Sequence, residues 1–239
     1  MTTTLTIPAR FNGPPGSAHG GYTCGRLAAL AASHLGGQAR VTLHAPVPLD
    51  TPLLYQVSGR RGYATAGDVL VATVSDPGLI LEPPKPVSSA EAAAAHARFA
   101  GRRGHPFPSC FACGVSRSGD GLGLTPGRLP HLPGMVACVW TPDPVLSGTD
   151  LAVPAELVWS ALDCPGGWTS DLISEPRLLA SMTARIVELP RADRSYVITG
   201  KLMEAAGRTL TCTTALYAAD GAGPMASATA IWLAVTVGG

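Results

Sequence analysis

Charge is scarce in this chain: Asp, Glu, Lys and Arg make up only 14% of its 239 residues and nearly cancel, to a net charge of +1. With no basic block, and with aromatic residues at 5%, it lacks both the phosphate-neutralising surface and the stacking platform of a nucleic-acid-binding protein. Apolar runs of the roughly 18 residues that a membrane-spanning helix needs are missing too. The opening MTTTLTIPARF has no apolar signal-peptide core. The expectation is a cytoplasmic protein with neither a nucleic-acid nor a membrane partner. Its six cysteines, Cys24, Cys110, Cys113, Cys138, Cys164 and Cys212, then read as reduced thiols rather than a disulfide framework. What is plentiful is apolar surface, 46% of the residues, enough for one large domain or two units of about 120 residues.

The most informative stretch is Asn12-Gly13-Pro14-Pro15-Gly16-Ser17-Ala18-His19-Gly20-Gly21-Tyr22. Its prolines and glycines forbid a regular element at first. Leu27, Leu30, Ala31 and Leu35 then recur at helical spacing, so a buried helix is expected from about His19. Two glycines at a helix start let a ligand approach free backbone N–H groups at the positive end of the helix dipole. That is a place to hold an oxyanion.

Strands are expected at 41–48, 53–58 and, as a broken pair, across 63–73. Residues 82–104, with Glu82-Pro83-Pro84-Lys85-Pro86 and an alanine-rich run capped by Ser88 or Ser89, read as a linker. Beyond it come strands at 121–124 and 135–140. A second buried helix follows at 154–163, stopped by Cys164-Pro165-Gly166-Gly167, and then four alternating strands between 181 and 235. The order of loop, buried helix and antiparallel strands thus occurs twice, in units 1–81 and 105–239. An α+β fold follows, each unit a curved sheet around one helix.

The run Asn12-x3-Gly16-x2-His19-Gly20-Gly21 resembles the signature of hotdog-fold acyl-CoA thioesterases, and the two-unit layout resembles the double-hotdog members of that superfamily. The resemblance implies a site shared between units. One unit gives the Asn and the His-Gly-Gly turn, and the other gives a helix carboxylate and a Ser or Thr on the next strand. Nine residues after His19 stands Ala28, so the first helix has no carboxylate to offer. In the second unit the helix opens Val153-Pro154-Ala155 but carries Asp163, with Ser181 at a following strand start. The implied site is a single asymmetric one. Asp163, Asn12 and Ser181 would be catalytic, while His19, Gly20, Gly21, Tyr22 and Trp168 would bind an acyl-CoA or acyl-carrier thioester. No cofactor is needed.

Two other readings are open. Asp143-Pro144-Val145-Leu146-Ser147-Gly148 is loosely similar to a loop of hotdog dehydratases acting on 3-hydroxyacyl thioesters, although Ser160 stands where their acid would. The other is a non-catalytic acyl-binding protein. Cys110-Phe111-Ala112-Cys113 after His105 invites zinc, but the chain has no second close pair, and Cys138 and His131 would have to be recruited. A tight turn without metal is therefore expected. The fused pair satisfies one interface and leaves homo-oligomerisation open.

Overall fold

The computed structural model describes residues 2–78, 80–117, 119–148, 150–219 and 223–236. Four α-helices are present among them: α1 (Gly20–Leu35), α2 (Ser89–Ala95), α3 (Gly101–Gly104) and α4 (Ala155–Gly167). None is long and apolar enough to cross a membrane.

The strands are β1 (Thr2–Leu5), β2 (Arg40–Leu43), β3 (Leu53–Ser58), β4 (Arg61–Ala66), β5 (Val69–Ser75), β6 (Gly127–Arg128), β7 (Met135–Trp140), β8 (Arg177–Ile186), β9 (Tyr196–Ala206), β10 (Thr209–Ala218) and β11 (Ala226–Ala234). All pair antiparallel in one eleven-stranded sheet of order β1-β3-β4-β5-β2-β8-β11-β10-β9-β7-β6. The seam lies between β2 and β8, where Arg40 faces Thr183, Val41 faces Met182 and Thr42 faces Ser181. Both outer strands are short, which limits the unpaired edge open to other chains. A Cβ on Gly127 of β6 would fall 1.7 Å from the Ala95 carbonyl oxygen, so the end of α2 covers that edge directly.

The two long helices bury their apolar positions against the sheet and each other. α1 packs on β2, β5 and β8, and α4 on β8, β9, β10 and β11. Leu27 and Ala31 of α1, like Val158, Ala161 and Leu162 of α4, are fully buried in one continuous core. A smaller cluster sits under α2, where Ala92 and Ala95 meet Leu129, Met135, Ala137 and Val197. The expected linker is therefore partly a packed helix, opened by a capping box between Ser88 and Glu91.

Three expectations need correction. β1 was not anticipated, because Thr-Thr-Thr-Leu carries no apolar alternation. The strand at 121–124 does not form: Leu122 and Leu124 donate instead to the carbonyls of Phe111 and Ala112, both at 2.9 Å, in the cysteine loop. And α4 runs through Pro165 to Gly167. Its glycines do not stop the helix; they let it approach the sheet. A Cβ on Gly166 would lie 2.5 Å from Cys212 Sγ, and one on Gly167 2.8 Å from the Trp232 ring.

Candidate active site

The start of α1 is fixed by its own loop. His19 N–H donates to the Phe11 carbonyl at 2.7 Å and Ala18 N–H to that of Val47 at 2.8 Å. The His19 side chain caps the helix, Nδ1 accepting from Tyr22 N–H at 3.2 Å. An imidazole can cap here because the two residues after it are glycines, which leave room for α4.

α1 and α4 cross antiparallel at very short range. A Cβ on Gly21 would sit 2.6 Å from Asp163 Cβ and 2.7 Å from the Trp159 carbonyl oxygen, and one on Gly25, a turn later, 2.7 Å from Glu156 Cα. Glycines at these positions are therefore needed for lack of space. Asp163 is the ninth residue of α4 and Ala28 the ninth of α1, so the two occupy equivalent positions in their helices.

At the crossing, Gly21 N–H donates to Asp163 Oδ2 at 2.7 Å, and His19 Nε2 lies 3.6 Å from the same oxygen. Asp163 Oδ1 is buried without a hydrogen-bond partner. Burial raises this carboxyl to about 6, partly offset by His19 and the Gly21 N–H. For His19, burial works against the imidazolium, but Cys110 and Asp163 outweigh it and the net shift is upward.

A cavity of about 210 Å³ opens beside this group, with Gly20, His19 and Asp163 in its wall together with Cys110, Cys113 and Cys164. Apolar side chains, among them Val47, Phe107, Trp168, Leu179 and Trp232, form most of the rest. The expected oxyanion donors are refined here. Gly21 N–H is taken by Asp163, whereas Gly20 N–H has no partner among the described residues, and Gly20 forms part of the cavity wall.

The sequence-derived residues separate into two groups. His19, Gly20, Gly21 and Asp163 come together, and Trp168 lines the cavity. Asn12 does not join them. Its Nδ2 donates to Ser109 and to the Gly13 carbonyl, all at 3.1 Å, and its Oδ1 accepts from Arg117 at 2.5 Å, so its amide is fully committed to holding the cysteine loop. Tyr22 stacks on Phe11 at 3.8 Å and is not among the lining residues. Ser181 sits at the β2–β8 seam, outside the lining, as does Thr183. A register shift in β8 opposite Ile231 and Trp232 brings Leu178, Leu179 and Ala180 to the cavity in its place. Leu179 lies directly over Gly20. Sequence reasoning also missed Arg177, a buried cation on the cavity wall, and Arg117.

Arg117 reaches Asn12 Oδ1, the carbonyls of Arg10 (2.7 Å) and Ser109 (2.8 Å), and Asp120. Arg117→Met should cost about 2 kcal/mol. That corresponds to a melting point lower by about 4–8 °C in a chain of this size, readable by thermal unfolding. An unchanged melting point would mean that the loop is held by packing alone.

No protein-family model and no curated protein matches the sequence. Solved structures do match its fold. A tesB protein of Mycobacterium avium subs paratuberculosis aligns over 98% of this chain and 93% of its own at TM-score 0.62 and 12% identity. A candidate thioesterase from Novosphingobium aromaticivorans aligns over 98% and 96% at TM-score 0.62 and 14% identity. A protein of unknown function with hot dog fold from Alicyclobacillus acidocaldarius aligns over 99% and 94% at TM-score 0.60 and 11% identity. Matched along nearly its whole length by such structures, and built as an antiparallel sheet packed on buried helices, the chain has the hotdog fold.

Proposed function

We propose that this chain hydrolyses an acyl-CoA or acyl-carrier thioester at one asymmetric site between α1 and α4. In this reading residues 1–81 and 105–239 are two fused hotdog units joined through 82–104, a double hotdog. The symmetry-related second site lacks its chemistry, because Ala28 and Pro154 stand where Asp163 and His19 stand in the first. The observation that carries the reading is the buried Asp163 carboxylate. Its Oδ2 is pinned at Gly21, and its partnerless Oδ1 belongs to a residue that shares the cavity wall with Gly20. The matched Novosphingobium aromaticivorans protein, described as a candidate thioesterase, supports it.

The thioester carbonyl would lie against Gly20 N–H and the positive end of α1, which stabilise the oxyanion as it forms. Asp163 takes a proton from water while the water oxygen bonds to the carbonyl carbon. The tetrahedral intermediate then breaks its carbon–sulfur bond, the thiolate recovers the proton from Asp163, and acid and thiol leave. The apolar wall receives the acyl chain. The dehydratase reading loses support, since Ser160 Oγ donates to the Glu156 carbonyl at 2.8 Å and offers no acid.

The test is a panel of acyl-CoA substrates followed by thiol release. Turnover with thiol release is expected. Water loss from a 3-hydroxyacyl thioester without thiol release, or saturable binding with neither reaction, would replace this reading.

A further inference from the structure

Beside Asp163, and not used by the hydrolytic chemistry, three thiols and an imidazole are buried against one another. Cys110 Sγ lies 3.8 Å from Cys113 Sγ and 3.8 Å from Cys164 Sγ. His19 Nε2 is 3.4 Å from Cys164 Sγ, and the ligand atoms of His19, Cys110 and Cys164 all fall within 4.8 Å of one another. All six cysteines are free. The residues come from three separate places, the α1 start, the 105–124 loop and the end of α4, so no run of sequence displays the set.

We propose that Cys110, Cys113, Cys164 and His19 form a tetrahedral zinc site, which goes beyond the hydrolytic reading and does not rest on it. A tetrahedron with zinc–sulfur bonds of about 2.3 Å and zinc–nitrogen bonds of about 2.0–2.1 Å has sulfur–sulfur edges of about 3.8 Å and sulfur–nitrogen edges of about 3.5 Å. Three separations, Cys110–Cys113, Cys110–Cys164 and Cys164–His19, match those edges; Cys113 stands just outside the set within 4.8 Å, so its side chain would close in on binding. The sulfur–sulfur separations are far from the roughly 2.05 Å of a disulfide. Thiolate and imidazole donors suit zinc and leave no place for calcium or magnesium.

The local chain is shaped for it. Gly114 N–H donates to the Cys110 carbonyl at 2.9 Å, closing a tight turn that brings both loop thiols together. A Cβ on Gly114 would lie 2.5 Å from that carbonyl oxygen and 2.6 Å from that of Pro108, so the turn requires glycine. His105 supplies the outer contact that a metal thiolate needs. Its Nδ1 accepts from Phe107 N–H at 3.0 Å, which leaves Nε2–H to donate to Cys113 Sγ at 3.3 Å. The recruits expected from sequence are elsewhere, with Cys138 in β7 and His131 paired to Glu91 at 3.0 Å.

On binding, three thiol protons pass to solvent as three zinc–sulfur bonds form. The His19 proton moves from Nε2 to Nδ1 and frees the Nε2 lone pair. That gives up the cap bond from Tyr22 N–H, one hydrogen bond exchanged for a metal bond. With four protein ligands the site is closed, a structural tie between α1, the cysteine loop and α4.

The full chain, purified reduced and without chelator, should carry close to one zinc per molecule by elemental mass spectrometry. Cys113→Ser and Cys164→Ser should each fall below a tenth of that, while Cys138→Ser and Cys212→Ser keep it. Because a substituted chain could misfold, the wild type is also exchanged with Co²⁺. The expected result is the intense visible absorption of tetrahedral cobalt with sulfur-to-metal charge transfer. Wild type that takes up neither added zinc nor cobalt, iron or copper as the only bound metal, a Cys110–Cys113 disulfide in freshly reduced protein, or zinc retained in both Cys113→Ser and Cys164→Ser would each overturn the site. Because metal content is read without turnover, failure here and failure of thioester hydrolysis are independent results.

Discussion

Asp163→Asn should lower thiol release from a good acyl-CoA substrate by about 10²–10⁴-fold in kcat/KM, the usual contribution of a positioned general base. The substitution is chosen because it spares the structure. Asparagine is nearly isosteric, and its amide oxygen can still accept the Gly21 N–H that Asp163 Oδ2 accepts at 2.7 Å. Burial raises the carboxyl to about 6, so a neutral amide at this position should leave the melting temperature unchanged or raised. Activity and stability are thus expected to part, with a steep fall in one and none in the other. Rates equal to wild type would remove Asp163 from the chemistry. A matching loss of folding would mean that its role is structural.

Gly21→Ala should act in the opposite way, through the fold first. The added Cβ would lie 2.6 Å from Asp163 Cβ and 2.7 Å from a backbone oxygen of α4, and neither is the far end of a flexible chain. The helices must move apart, at a cost of about 1–3 kcal/mol or more. Gly223→Ala, where nothing lies within 4 Å, is the matched control and should stay within about 0.5 kcal/mol of wild type. Denaturant midpoints of the three proteins decide the matter. If Gly21→Ala unfolds with the wild type, the crossing is looser than described. If it folds but loses activity, the displacement of Asp163 has been felt directly.

Much of this was legible because it depends on neighbours in sequence. The proline and glycine run before His19, the helical spacing of Leu27, Ala31 and Leu35, and the alternation of the last strands all reflect local backbone rules, and α1 and the C-terminal strands formed close to where they were expected. Counting from His19 reached only Ala28, and Asp163 came from the likeness of the second helix's end to the family's carboxylate segment. What stayed hidden depends on side-chain company. Asn12 fits a signature, yet Arg117 and Ser109, about a hundred positions away, claim its amide. Ser181 begins its expected strand, but β8 starts earlier, at Arg177, and its register shift brings Leu179 to the cavity. Pro165 and the glycines after it read as a stop, although they are contact points for Cys212 and Trp232. The thiol cluster was the least visible, because Cys164 meets Cys110 only once α4 and the loop are both in place.

The seam between β2 and β8 governs how the proposed hydrolytic site would be assembled. Because both strands belong to one chain, the glycine end of α1 meets the carboxylate of α4 by intramolecular encounter. For tethered partners the effective concentration is on the order of millimolar, however dilute the protein. The tether also settles which surfaces meet. Two copies of the first half paired together would set His19-Gly20-Gly21 against Ala28, and two copies of the second would set Asp163 against Pro154 and Glu156. Only the mixed pairing aligns a donor helix end with an acid, and covalent linkage delivers that pairing every time.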